Sequence, residues 1–190
     1  MEGAIAQCQK GENIMAIRRG FMGLPIASII LIGIVFLGSV PQATAETLTF
    51  KMLTHGTKAE MVPIADVEGH VIGVSVREGV TVFDNGEWVW TKGSFMHDMI
   101  KGVGATDAYF TFTFLDGSTF IARAKGTAEA TPQGVISAYK WTSDIINGTG
   151  RFQGIKGTIT FSSKFLPPEK GEPVGKALAE GTLVYTLPSK

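Results

Sequence analysis

Asn147-Gly148-Thr149-Gly150-Arg151-Phe152-Gln153-Gly154-Ile155-Lys156-Gly157-Thr158 carries four glycines and only two large apolar side chains, Phe152 and Ile155. Glycine is the default residue where a chain must take a positive φ or let another backbone come close. If Gly150 to Gly154 makes one helical turn, Phe152 and Ile155, three apart, share a face. The stretch therefore reads as a tight corner between two strands. Gly148, Gly150, Gly154 and Gly157 shape its backbone, and the apolar pair plugs the end of a β-barrel. A phosphate-binding loop is excluded: the spacing is G-x-G-x-x-x-G, no lysine-serine/threonine pair follows, and the next segment reads as a strand.

Outward from this corner, the chain alternates apolar and polar residues in short runs. Tyr109 to Leu115 is the clearest, with Phe110, Phe112 and Phe114 on one face and Tyr109, Thr111 and Thr113 on the other. Alternation of this kind marks a half-buried strand. Thr47 to Leu53, His70 to Val76, Val80 to Phe83, Ser118 to Lys125, Val135 to Ile146, Gly157 to Phe165 and Ala177 to Leu187 behave alike. His55 to Glu68 is polar, carries Pro63, and reads as a loop across one end. Gly93 to Gly104 is either a helical turn or an irregular strand. Asp84-Asn85-Gly86-Glu87 and Asp116-Gly117 are hairpin turns. The first is expected to set Phe83 opposite Trp88 and Thr81 opposite Trp90. The second is expected to put Thr119, Ile121 and Arg123 on the Phe110 face. Short strands separated by glycine turns predict an all-β fold, an antiparallel barrel of about eight strands over residues 46–190.

The N-terminal part has a different composition. Leu24 to Val40 is uncharged and strongly apolar, Arg18 and Arg19 precede it, and Ala43-Thr44-Ala45 follows. These are the three regions of a secretory signal peptide, with cleavage expected after Ala45. Met15-Ala16-Ile17-Arg18-Arg19 is the more ordinary start, which makes Met15 the candidate initiator. The expected address is periplasmic or extracellular, with no membrane attachment after cleavage. The alternative is an uncleaved anchor through residues 20–40, long enough to span a bilayer. The only cysteine, Cys8, precedes the apolar run, so the barrel carries no thiol for a disulfide, a nucleophile or a metal.

Several function classes are excluded at this level. Lys and Arg number 17 against 17 Asp and Glu, which leaves no electrostatic footprint for nucleic acid. His55, His70 and His97 show no metal-ligand spacing, and no serine sits in a G-x-S-x-G setting. The three histidines are expected at the surface or rim. No motif asks for a cofactor or a metal. What remains is an aromatic complement, Trp88, Trp90, Phe110, Phe112, Phe114, Tyr139 and Trp141, with Arg123 among it. It reads either as ordinary core or as the wall of an apolar cavity. If Arg123 lies inside, it is a buried charge that needs an acidic partner or an anionic ligand.

The run A-Y-F-T-F-T-F-L-D-G-S-T-F-I-A-R-A-K-G (108–126), the glycine corner and the closing G-T-L-V-Y-T-L (181–187) resemble the allene oxide cyclase barrel family. Plant dirigent proteins share a similar corner. The resemblance implies an eight-stranded antiparallel, calycin-like barrel, often trimeric, with a mostly apolar cavity. The plant cyclases steer an unstable fatty-acid epoxide into a cyclopentenone by holding one conformation, an entropy-trap device. The polar cavity residues of that family lie on N-terminal strands with no residue-by-residue match here, so the resemblance assigns no catalytic residue. The expected function is binding of a small hydrophobic ligand in the barrel. The alternatives are a cofactor-free isomerase or cyclase, or a dirigent-like steering protein, and an interaction barrel with a filled core. Catalytic residues remain unassigned.

Overall fold

A computed structural model of the protein describes residues 44–130, 136–166 and 168–189. Eight strands follow one another: β1 (Glu46–Pro63), β2 (His70–Phe83), β3 (Trp88–Ile100), β4 (Val103–Phe114), β5 (Thr119–Ala130), β6 (Ile136–Gly148), β7 (Lys156–Phe165) and β8 (Ala177–Thr186). Each pairs antiparallel with its sequence neighbours, and β8 returns to β1, so the sheet is a closed up-and-down barrel. Closure leaves no free edge around the ring. Inward and outward residues alternate along the strands, as the period of the pleat requires, with breaks where the β1–β2 and β5–β6 registers shift. The expected leader, its cleavage region up to Ala43 and the candidate start at Met15 lie outside the described residues. So does the expected turn Thr131 to Gly134.

Two hairpins depart from the registers expected of them, and for one reason. In Phe83-Asp84-Asn85-Gly86-Glu87 the Phe83 amide donates to the Glu87 carbonyl, and Gly86 takes φ +84°. In Phe114-Leu115-Asp116-Gly117-Ser118 the Phe114 amide donates to the Ser118 carbonyl, and Gly117 takes φ +81°. Both are three-residue loops whose third residue is a left-handed glycine. Val82 therefore pairs with Trp88, Thr81 with Val89, and Tyr109 with Arg123. A slip of one residue moves every side chain of a strand to the other face. Trp88, Trp90, Ile121 and Arg123 consequently point out of the barrel, and Val89, Phe120, Ala122 and Ala124 point in.

Two other segments resolve differently from their reading. Gly93 to Gly104 is regular: β3 runs to Ile100, pairs it with Val103, and turns through Lys101 (φ 51°) and Gly102 (φ 78°). Two successive positive φ values define the two-residue hairpin turn that matches sheet twist. The polar stretch after His55 is strand as far as Pro63, and only Ile64 to Gly69 forms the connecting turn. β1 pairs with β8 only up to Thr54, slips register between Gly56 and Lys58, and continues along β2 to Pro63. Beyond the bulge both of its faces are largely exposed, so the apolar alternation that would betray a strand is missing. Pro63 sits at its end, where a missing N–H costs nothing.

The glycine corner forms a single 3-10 turn, Gly150–Phe152, between β6 and β7. Phe152 and Ile155 are both buried. Phe152 packs 4.5 Å from the Phe114 ring and 5.4 Å from Phe120, centroid to centroid. The Arg151 guanidinium lies over the Phe114 and Phe152 rings and pairs with Glu87 and Asp116. This end of the barrel is filled with phenylalanine: Phe112 stacks on Phe120 at 4.6 Å, and Phe83 on Phe114 at 6.1 Å.

Candidate functional site

The opposite end of the barrel holds a cavity of about 1080 Å³. Its wall is mostly apolar, with Val71, Phe95, Met99, Ile136, Trp141 and Phe165 contributing large side chains. The segment between β7 and β8 lines one side through Leu166, Pro168, Pro173 and Val174, and is tied back by the Leu166 amide donating to the Lys176 carbonyl. Small-molecule sites typically measure roughly 300–1,000 Å³ and pair an apolar wall with a few placed polar groups.

The polar groups in the wall are Arg77, Ser75, His97 and Tyr139, with Thr106 beneath them, while Ser137 and the exposed Glu68–Lys101 pair (3.4 Å) complete the polar lining. The phase of β2 is set by Phe83, which packs in the filled end; counting back by twos gives Thr81, Gly79, Arg77 and Ser75 as inward residues. Arg77 is only 5% exposed. Its Nε donates to Thr54 Oγ1 at 3.3 Å, its Nη2 donates to the Gly175 carbonyl, and its Cζ sits 4.9 Å above the Phe165 ring. Among the described residues no carboxylate pairs with it. Glu172 faces Arg77 electrostatically, but its carboxylate is engaged by Lys176 Nζ at 3.2 Å. Burial pushes the Arg77 guanidinium down to about 10, so it stays charged at neutral pH.

His97 comes from β3, in phase with Phe95 and Met99, and its ring stacks parallel to Phe95. Nε2 lies 2.8 Å from Ser75 Oγ and Nδ1 lies 3.2 Å from Thr106 Oγ1. Thr106 Oγ1 is 3.2 Å from Tyr139 Oη, whose hydroxyl also donates to Met99 Sδ at 3.5 Å. Ser75, His97, Thr106 and Tyr139 thus form one hydrogen-bonded chain along the cavity wall. Burial, and then the charge of Arg77, push His97 down to about 4. Burial raises the Tyr139 phenol. At neutral pH the chain is uncharged, and each hydroxyl can donate or accept.

The residues expected from sequence to form a site divide into three groups. Tyr139 and Trp141 line the cavity, stacked at 4.9 Å, with Trp141 Nε1 donating to Ser163 Oγ at 3.4 Å. Phe110, Phe112 and Phe114 point inward and are buried, but they belong to the packed aromatic core rather than to the cavity wall. Trp88 (61% exposed), Trp90 (49% exposed) and Arg123 lie on the outside, a correction that follows from the two three-residue hairpins. Arg123 faces Asp144 across β5 and β6 on the solvent side. The expectation of surface or rim histidines is corrected for His97, which is half-buried in the cavity wall; His70 is held near the surface between Asp66 (2.6 Å) and Asp98 (2.9 Å). Arg77, Ser75 and His97 were not among the expected site residues.

No protein-family model matches the chain, and no curated protein matches it. Among solved structures it is similar to the pterocarpan synthase dirigent protein GePTS1, at 16% identity and a TM-score of 0.47, covering 78% of this chain and 89% of that one. The pterocarpan synthase dirigent protein PsPTS1 matches at 16% identity and 0.45, over 79% and 98% of the two chains. A protein with unknown function from Clostridium acetobutylicum ATCC 824 matches at 11% and 0.47, over 74% and 99%. Dirigent-protein barrels are thus structural neighbours of this chain; membership of the allene oxide cyclase family is not shown by these matches.

Proposed function

We propose that the protein is a binding module for a small, largely hydrophobic molecule held in the open end of its barrel. The observation that carries this reading is the division of the interior. One end is filled with stacked phenylalanines, and the other keeps a cavity of about 1080 Å³ walled by apolar side chains and a few convergent polar ones. A barrel of this size has room for one small ligand. Of the three tryptophans, Trp88 and Trp90 lie outside and only Trp141 borders the cavity. The test is therefore fluorescence in a Trp88→Phe/Trp90→Phe background, where Trp141 is the sole reporter. Titration with fatty acids and aromatic compounds is expected to shift its emission saturably. Emission unchanged across the panel would remove the reading. Export is part of the same proposal: protein recovered outside the cytoplasm should begin at Glu46, and an intact leader there would contradict it.

The hydrogen-bonded chain from Ser75 to Tyr139 favours a second reading, a cofactor-free isomerase or steering protein. A neutral chain of this kind can accept a proton at one end and return one at the other without building charge in an apolar wall. Product ratio and stereochemistry from a reactive epoxide or radical intermediate would be compared with and without protein. Identical products would sink this alternative while leaving the binding reading intact.

A further inference from the structure

The strongest unexplained feature of the cavity is a buried cation. Moving a guanidinium out of water is strongly unfavourable unless a counter-charge and hydrogen bonds replace its hydration. Arg77 has two hydrogen bonds, to Thr54 Oγ1 and the Gly175 carbonyl, and a face on Phe165. A neutral hydroxyl and a carbonyl offset part of the cost but supply no negative charge. Of the ionisable groups near it, His97 is held neutral and the Tyr139 phenol is pushed towards its protonated form; the Glu172 charge favours the guanidinium, but it forms its ion pair with Lys176 and none with Arg77 among the described residues. The guanidinium nevertheless lines the cavity, with its remaining N–H groups free of partners among the described residues. Such a group is pre-organised for an anion arriving from the cavity side. Its planar fork matches a carboxylate in two parallel hydrogen bonds.

On the basis of the binding reading above, we infer that the cavity's ligand is an amphipathic carboxylic acid whose carboxylate pairs with Arg77 while its apolar body lies along Trp141, Phe95 and Met99. The assignment fixes orientation as well as class. The head group enters beside β2 and the Gly175 backbone, and the chain or ring of the acid points across the barrel towards Tyr139 and Trp141. A polar substituent part-way along the body would meet the Ser75–His97–Tyr139 chain, while a purely hydrocarbon body would leave that chain unchanged.

The experiment compares four ten-carbon probes on the Trp88→Phe/Trp90→Phe protein, below their aggregation thresholds: decanoate, decan-1-ol, decyl sulfate and decyltrimethylammonium. Decanoate is expected to bind at least tenfold more tightly than decan-1-ol, and the ammonium compound not at all. Arg77→Met should abolish the preference of decanoate over decan-1-ol. Arg77→Lys, which keeps the charge but loses the fork, should retain part of it. Equal affinity of decanoate and decan-1-ol in the unmutated site overturns the carboxylate assignment while upholding the cavity as a site, and needs no variant to fold. Tighter binding of decyl sulfate than of decanoate overturns the carboxylate in favour of a tetrahedral anion. Silence of Trp141 towards all four overturns the binding reading itself.

Discussion

The two ends of this barrel are built from the same strands and obey opposite rules. At the corner end, Phe112, Phe114, Phe120 and Phe152 meet ring to ring with centroids 4.5 to 5.8 Å apart, and a guanidinium on the outside closes the stack. At the other end, the same inward positions of β2, β3 and β6 carry Arg77, His97 and Tyr139 around an empty volume. The first end is organised for close packing, where dispersion and area burial reinforce each other. The second retains a buried charge and a polar chain that a purely structural core would replace with apolar side chains. Sites that give up stability in this way are where function is to be sought.

Truncation at the filled end should show the largest effect. Phe120 has no exposed surface and touches Phe112, Phe114 and Phe152. Phe120→Ala is expected to destabilise by about 3–5 kcal/mol, the range for a buried phenylalanine that leaves a cavity. Chemical denaturation measures it, and a loss below about 1 kcal/mol would mean this end is not the close-packed one. Gly150→Ala comes next. The residue holds φ +59°, and an added Cβ would overlap Ser118 Oγ, which accepts the Arg151 amide. A cost of about 1–3 kcal/mol follows from the left-handed backbone and the displaced hydroxyl. Phe165→Ala at the open end should cost less, about 1–2 kcal/mol, because the ring is only half-buried beside the existing cavity. A larger loss there than at Phe120 would invert the comparison.

The sequence disclosed the fold more fully than the site. Alternation in β4, the turn glycines and the Gly150–Phe152 corner each act over a few residues, so a barrel could be read from them. The site depended on phase, and phase passed through two loops. Phe83 and Phe114 are each followed by three loop residues ending in glycine, and treating these loops as one residue different put Trp90 and Arg123 inside. The correct phase was available within β2 itself, since Phe83 and Arg77 are six apart with no bulge between them. Arg77 was missed because an arginine in a strand usually faces water, and composition cannot tell which face is which. Lys58 to Pro63 was missed for the opposite reason: a strand paired on one side and exposed on both faces has no apolar period to read.

His70 and His97 give the smallest and most discriminating effect. His97 is pushed down to about 4 by burial and by Arg77, against roughly 6.5 in an unfolded chain. The unfolded chain therefore binds the extra proton between those values, so stability is full above pH 6.5 and falls as pH drops towards 4. His70 runs the other way. Asp66 and Asp98 raise it, so its contribution is full below pH 6.5 and is lost as pH rises through its folded value. Ring-proton NMR should show His70 titrating above the ordinary range and His97 below it. His97→Asn should flatten the acid side of the stability profile by on the order of 1 kcal/mol, discounted because the ring partly opens onto the cavity. Parallel profiles for the two proteins would place His97 outside the low-dielectric wall. A carboxylate on Arg77 would cancel the second of the two causes acting on His97, so the ring should titrate higher with decanoate bound than without it.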